Sequence, residues 1–190
     1  MAKCFTKFAG LETSCGSNLT SVKNLWIGAF GSAKFTFSGE DVDADGNQII
    51  ESVTGVTLDG DAWVEFGFRK NTGEMTTEMT VNENNGTHYF TNGVNLVFAK
   101  QDQTKRLSLQ AVASGECSMI VLDSNGIYWL IGNADSVTAT VLSATTGVAV
   151  GDNNAYNITL SAIEPYMPIP LDKSSADTII STLCPQQASN

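Results

Sequence analysis

Two kinds of apolar patterning run along this chain, and they predict two kinds of strand. Ala33-Lys34-Phe35-Thr36-Phe37-Ser38 and Ser136-Val137-Thr138-Ala139-Thr140-Val141 alternate, with apolar residues at odd positions. Tyr156-Asn157-Ile158-Thr159-Leu160-Ser161-Ala162 alternates with apolar residues at even positions. Each reads as a strand with one buried face. Met119-Ile120-Val121-Leu122 and Ile127-Tyr128-Trp129-Leu130-Ile131 are instead apolar throughout, which predicts strands covered on both faces, with a helix on one side. Between them Asp123-Ser124-Asn125-Gly126 predicts a tight hairpin turn, because Asn and Gly tolerate positive φ. A long strand is expected over His88–Ala99. A helix is expected over Asp102–Ser114, with Asp102 as N-cap and Gly115 as its stop. The predicted class is mainly β: two packed antiparallel sheets, sandwich- or barrel-like, flanked by one short α-helix, with extended terminal arms.

A second hairpin is expected over Asp61–Arg69 and Glu74–Asn82. Ala62, Val64, Phe66 and Phe68 would share one face, and Asp61 and Glu65 the other. Closing it over Lys70-Asn71-Thr72-Gly73 pairs Arg69 with Glu74 and Glu65 with Glu78. The second pair opposes like charges at some cost; a register slipped by two removes it. The face carrying Asp61, Glu65, Glu74 and Glu78 is either a functional acidic surface or plain solvated exterior.

Residues 1–20 are rich in Gly, Ser and Thr and read as an N-terminal arm. Residues 21–164 form the β domain. Residues 165–190 read as a C-terminal arm, since Pro165, Pro168 and Pro170 favour extended chain outside the middle of a sheet. A short helix is expected over Ser174–Leu183, with Ser174 and Asp177 spaced as a variant capping box. Both arms are placed to reach a neighbouring subunit, or to fray.

Length changes this picture little: 190 residues suit one domain. Charge changes it more. Charged residues are 16%, against the ~25% of an average soluble protein. They comprise 20 acidic and 10 basic residues, for a net charge of -10. A surface poor in charge and rich in Thr, Ser and Asn is expected to be covered by partners, or to be a neutral polar coat. The acidic excess argues against gripping nucleic acid, whose phosphates are held by Lys and Arg. Cys4, Cys15, Cys117 and Cys184 form no CxxC pair and are expected as reduced thiols made in a cytosol. The opening residues do not resemble a signal peptide, and no apolar run reaches the ~18 residues of a membrane span.

Candidate chemistry is sparse. Asp41-Val42-Asp43-Ala44-Asp45-Gly46 opens like a calcium loop, with Asp41, Asp43 and Asp45 as oxygen ligands. Its twelfth position is Ser52 where a bidentate Glu is wanted, and Glu51 comes one residue early. An acidic turn between strands is the competing reading. His88 is the only histidine, so no zinc site built on two is available. Trp26, Trp63 and Trp129 could line a sugar site or fill cores. No catalytic set and no cofactor is expected.

Glu78-Met79-Thr80-Val81, Asn85-Gly86-Thr87-His88-Tyr89-Phe90 and Lys100 leading into the helix carry a family resemblance. So do Ile120 through the Asn125-Gly126 turn to Gly132, then Gly147, Gly151-Asp152-Asn153-Asn154-Ala155-Tyr156 and Glu164-Pro165. Over Thr77–Glu164 the chain resembles the tail-tube proteins of bacteriophages, particularly those of Bacteroides and related bacteria. The resemblance implies a virion structural protein, made in the bacterial host cytoplasm. Its subunits would join into six-fold rings and stack into a tube, and other tail proteins would bind the tube ends. Viral DNA would pass through without specific binding, past a lumen lined by Asp61, Glu65, Glu74 and Glu78. The alternatives are a head–tail connector, a capsid decoration protein, or a calcium- or carbohydrate-binding β module.

Overall fold

The computed structural model describes residues 18–39, 41–42, 48–83, 86–149 and 151–185. The strands are β1 (Val22–Ala29), β2 (Ala33–Ser38), β3 (Asp41–Val42), β4 (Gln48–Ile49), β5 (Ser52–Leu58), β6 (Val64–Phe66), β7 (Gly73–Asn82) and β8 (Thr87–Ala99). Helix α1 (Gln103–Ser114) follows, then β9 (Cys117–Asp123), β10 (Tyr128–Ile131), β11 (Thr138–Thr145), β12 (Ala155–Glu164), β13 (Ile169–Pro170) and helix α2 (Ala176–Leu183). A five-stranded sheet runs β13-β10-β9-β1-β6, and a four-stranded sheet runs β11-β12-β8-β7. Every pairing within them is antiparallel. β2 with β5, and β3 with β4, form two-stranded ribbons. The mainly β, antiparallel class expected from the sequence is the observed one, with two helices.

The two large sheets pack face to face. Leu25, Ile27, Met119, Val121 and Ile131 of the five-stranded sheet meet Val94, Leu96, Phe98, Ile158 and Leu160 of the four-stranded sheet, closed at one side by Leu109 of α1. The other face of the five-stranded sheet is buried as well. Trp26, Ile120 and Leu130 there meet Val53, Trp63, Ile169, Leu171, Ile179 and Leu183. This explains the strands that are apolar at every position: Met119 and Val121 point into the first core, Ile120 into the second. The covering helix is α2. α1 instead packs beside β11.

The β9–β10 hairpin forms with Gly126 at φ 85°, a conformation that Cβ-bearing residues rarely adopt. The Asp123 carboxylate accepts from the backbone N–H of Asn125 (2.8 Å) and Ile127 (2.9 Å), which closes the turn. The turn also anchors the incoming chain. Ser124 N–H and Oγ–H both donate to Ser21 O, and Asn125 Nδ2 donates to Leu19 O. α1 begins at Asp102, whose carboxylate accepts from Lys105 N–H at 2.8 Å. That bond holds the Asp102 carboxyl below its usual range.

Three expectations are corrected. The runs Asp61–Arg69 and Glu74–Asn82 do not form a hairpin. β6 pairs with β1 (Trp26 with Glu65), and β7 pairs with β8 (Glu74 with Asn95, Glu78 with Thr91). The link between β6 and β7 carries the chain from one sheet to the other, because Trp63 fills the second core while Phe66 and Phe68 pack edge-on against Phe98 at the first. Residues 165–185, expected as an arm with a short helix over Ser174–Leu183, form that helix as α2 (Ala176–Leu183) and add β13, and both pack into the second core instead of leaving it. Pro170 sits opposite Trp129 on an edge strand, where no ladder N–H is needed. The start of α2 is held by Asp172, whose carboxylate accepts from Ser174 and Ser175, while Ser175 at the N-cap position makes no side-chain cap bond.

The third correction is local. Alternation over 136–141 predicts Val137, Ala139 and Val141 on one face. A register shift between Ala139 and Val141 turns Val141 outward, where it is half exposed.

Candidate functional site: the open face of the four-stranded sheet

β8 sets the geometry. Val94, Leu96 and Phe98 are buried in the first core, so Gly93, Asn95 and Val97 lie on the opposite face. Register extends that face across four strands. Thr76, Gly93, Ser161 and Thr138 stand in one row; Glu74, Asn95, Thr159 and Val141 in a second; Glu78, Thr91 and Ile163 in a third. None of β7, β8, β11 and β12 contains a lysine or arginine. Glu74 and Glu78 are exposed. Four residues apart on one strand, they stand about 13 Å from each other.

The four predicted acidic residues therefore separate. Glu74 and Glu78 share the open face. Glu65 lies in the other sheet, half-buried, and its carboxylate accepts from Asn24 Nδ2 at 2.6 Å. Asp61 is exposed in the link between β5 and β6.

Both edges of this sheet carry exposed apolar side chains. Met79 and Val81 of β7 are 54% and 57% exposed, and Val141 and Leu142 of β11 are 50% and 41% exposed. The outer half of the β7–β8 hairpin reaches beyond the core that covers its inner half.

At the base of that hairpin lies a polar cluster that the sequence reading did not single out. Glu164, 2% exposed, closes β12 on the inward face, opposite Phe90. Its carboxylate accepts from the backbone N–H of Asn133 (3.0 Å) and Ala134 (3.2 Å) and from Asn92 Nδ2 (2.9 Å). Asn92 also donates to Tyr166 O (3.0 Å), and Asn133 Nδ2 donates to Tyr166 Oη (2.9 Å). Burial, with the nearby Glu164 charge, raises the Tyr166 phenol above its usual range, against the lowering effect of the Asn133 bond. These three donors replace its hydration. The signal was present in the alternation: Ile158, Leu160 and Ala162 point inward, and the next inward position is Glu164.

The remaining candidates lie elsewhere. Asp43 and Asp45 fall outside the described residues, and Asp41 lies in β3. Among the described residues, no group of three or more His, Cys, Asp or Glu could hold a metal ion. Trp26 and Trp63 are buried in the second core, with Trp63 Nε1 donating to Ser32 Oγ. Trp129 Nε1 donates to Asp123. Burial pushes the Cys117 and Cys184 thiols up to about 11, with the Glu65 charge adding at Cys184. Among the described residues, no helix is long and apolar enough to cross a membrane.

No family model, curated protein or solved structure matches the chain.

Proposed function

We propose that this chain is a structural subunit of a bacteriophage tail tube, joining edge to edge into rings whose bore is the open face of the four-stranded sheet. The observation that carries the reading is that face itself: a broad sheet left uncovered by the described residues, its strands free of Lys and Arg, between two edges with exposed apolar side chains. Four antiparallel strands place edge strands β7 and β11 in opposite directions. β7 of one copy set beside β11 of the next therefore continues an antiparallel ladder, and repetition about an axis gives a ring. Burying Met79, Val81, Val141 and Leu142 at that seam removes apolar surface from water. A bore lined by Thr, Ser, Asn and glutamate, with Val141 and Ile163 among them, offers DNA phosphates no counterion-releasing contact, so the polymer slides past.

Light scattering with negative-stain microscopy tests the assembly. Rings or tubes are expected, and monomer at every concentration, with tail proteins added, would contradict it. Replacing Glu74 and Glu78 by Lys tests the bore: fold and assembly persist, while DNA passage through the tail slows. Ejection at the normal rate would remove the electrostatic part of the account.

A further inference from the structure

The β9–β10 turn carries a side chain that does more than the turn requires. Asp, Asn or Gly would suit the position before Gly126, which sits in the left-handed region at φ 85°. An amide, however, offers a donor and an acceptor on separate atoms, and Asn125 uses both on the incoming chain. Its Oδ1 accepts from Leu19 N–H (2.8 Å), and its Nδ2 donates to Leu19 O (3.2 Å) and to Asn18 Oδ1 (3.1 Å). The side chain thus pairs with Leu19 as a neighbouring strand would.

The chain latched in this way is strained. Ser21, two residues on, stands at φ 88°, a region that residues with a Cβ seldom occupy. It is kept there by Ser124, whose N–H and Oγ–H both donate to Ser21 O, and by its own Oγ donating to Gly73 O (3.1 Å). Asn125 and Ser124 together hold residues 18–21 in a conformation that a free chain would leave.

The latch is built on a dipeptide that rearranges readily. Gly126 has no Cβ to keep its backbone nitrogen away from the Asn125 amide. That nitrogen adds to Asn125 Cγ and loses its proton, the Cγ–Nδ2 bond breaks, and ammonia leaves, giving a succinimide ring. Water then opens the ring at either carbonyl, leaving Asp or isoaspartate at position 125. Water is the one co-reactant, and Asn125 and Gly126 are both exposed to it.

The latched state opposes ring closure. Gly126 N–H is engaged with Asp123 O (3.2 Å), and the Asn125 amide is fixed by its three bonds to Asn18 and Leu19. Release of Leu19 frees the amide to turn toward Gly126. The product then opposes re-latching. A carboxylate still accepts from Leu19 N–H, but it has no donor for Leu19 O or Asn18 Oδ1 and sets an oxygen against each. Isoaspartate also adds a carbon to the main chain of the turn. The new charge enters a cavity of about 470 Å³ lined by Leu19, Ser21, Glu74, Asp123 and Asn125, whose described lining holds no Lys or Arg. The second described Asn-Gly pair is protected: Asn92 is fully buried within β8, with Nδ2 held by Glu164 and Tyr166 O.

We infer that Asn125 is a self-modifying latch: its deamidation proceeds once Leu19 lets go, and it makes the release of residues 18–20 irreversible. The site lies within one copy, whatever that copy assembles into. The full chain, aged in mildly alkaline heavy-oxygen water and mapped by peptide mass spectrometry, is expected to take up label at Asn125 and none at Asn92. Leu19→Pro removes the N–H that Asn125 accepts; it should speed labelling at Asn125 roughly three- to tenfold with an unchanged melting profile. Should that variant disturb the fold, Asn18→Ala removes one acceptor of the latch and is expected to act in the same direction, more weakly. Hydrogen exchange reads the other half: Leu19 N–H should exchange roughly three- to tenfold faster in aged protein, and in Asn125→Asp, than in fresh wild type. Labelling at Asn125 no faster in either variant than in wild type would overturn the link between latch and reaction. Aged protein whose Leu19 exchanges like that of fresh protein would overturn the latch itself.

Discussion

The five-stranded sheet is built from strands of 2 to 8 residues and the four-stranded sheet from strands of 8 to 13, and the two face different surroundings. The first is buried on both faces, and its strands β9 and β10 are apolar at nearly every position. The second is buried on one face, and its strands alternate. Burial alone cannot account for the difference in the outer rows. A soluble sheet exposing a face to water ordinarily mixes charges of both signs, whereas this one offers Thr, Ser, Asn and glutamate with the apolar Val141 and Ile163, and its strands hold no Lys or Arg. The comparison separates a sheet that stabilises the molecule from one that presents a surface.

The largest expected effect tests the stabilising sheet. Truncation after Glu164 removes Ile169, Leu171, Ile179 and Leu183 from the second core. The loss should equal or exceed the ~5–15 kcal/mol that holds such a domain together. Circular dichroism should then show no cooperative melt. A truncated chain that melts like the full one would mean the second core is dispensable.

Single substitutions sharpen the contrast. Ile120→Ala, in the sheet buried twice, should cost about 2–5 kcal/mol in chemical denaturation. Thr159→Ala, on the open face, should stay within about 0.5 kcal/mol. Equal costs would erase the distinction between the two sheets.

Glu164 lies at their join. Glu164→Ala strands two backbone N–H groups and Asn92, with an expected loss of about 1–3 kcal/mol. Glu164→Gln keeps an acceptor for Asn133 and Ala134 and should lose less. If both variants melt like wild type, the cluster is not holding the sheets together.

The smallest effect is chemical. Cys117 and Cys184 are buried with thiols near 11, so at pH 8 they remain protonated and covered. A thiol reagent should label them only under denaturant. Rapid labelling of native protein would show that one of the cores opens.

Local signals were legible in the sequence. The Asn125-Gly126 turn, the Asp102 cap, the long strand β8 and the alternation of β12 depend on neighbours along the chain, and each appears where its pattern lies. Long-range choices were hidden. Val64–Phe66 had the alternation of a hairpin arm, but its partner is β1, some 40 residues earlier, and no local rule selects it. The Pro-rich segment read as an arm because proline signals extended chain, while nothing local says that Ile169 and Leu171 are wanted as a lid over Trp26. For the open face, Glu74 and Glu78 were found. Asp61 and Glu65 were misplaced with them because the wrong strand pairing carried them along.

The central claim is that the four-stranded sheet joins copies edge to edge and turns its open face inward. A three-dimensional reconstruction of the assembled protein tests it most directly. The account predicts β7 of each copy paired antiparallel with β11 of the next, and Glu74 and Glu78 pointing at the axis. An assembly whose open face looks outward, or whose β7 edge stays unpaired, would contradict it.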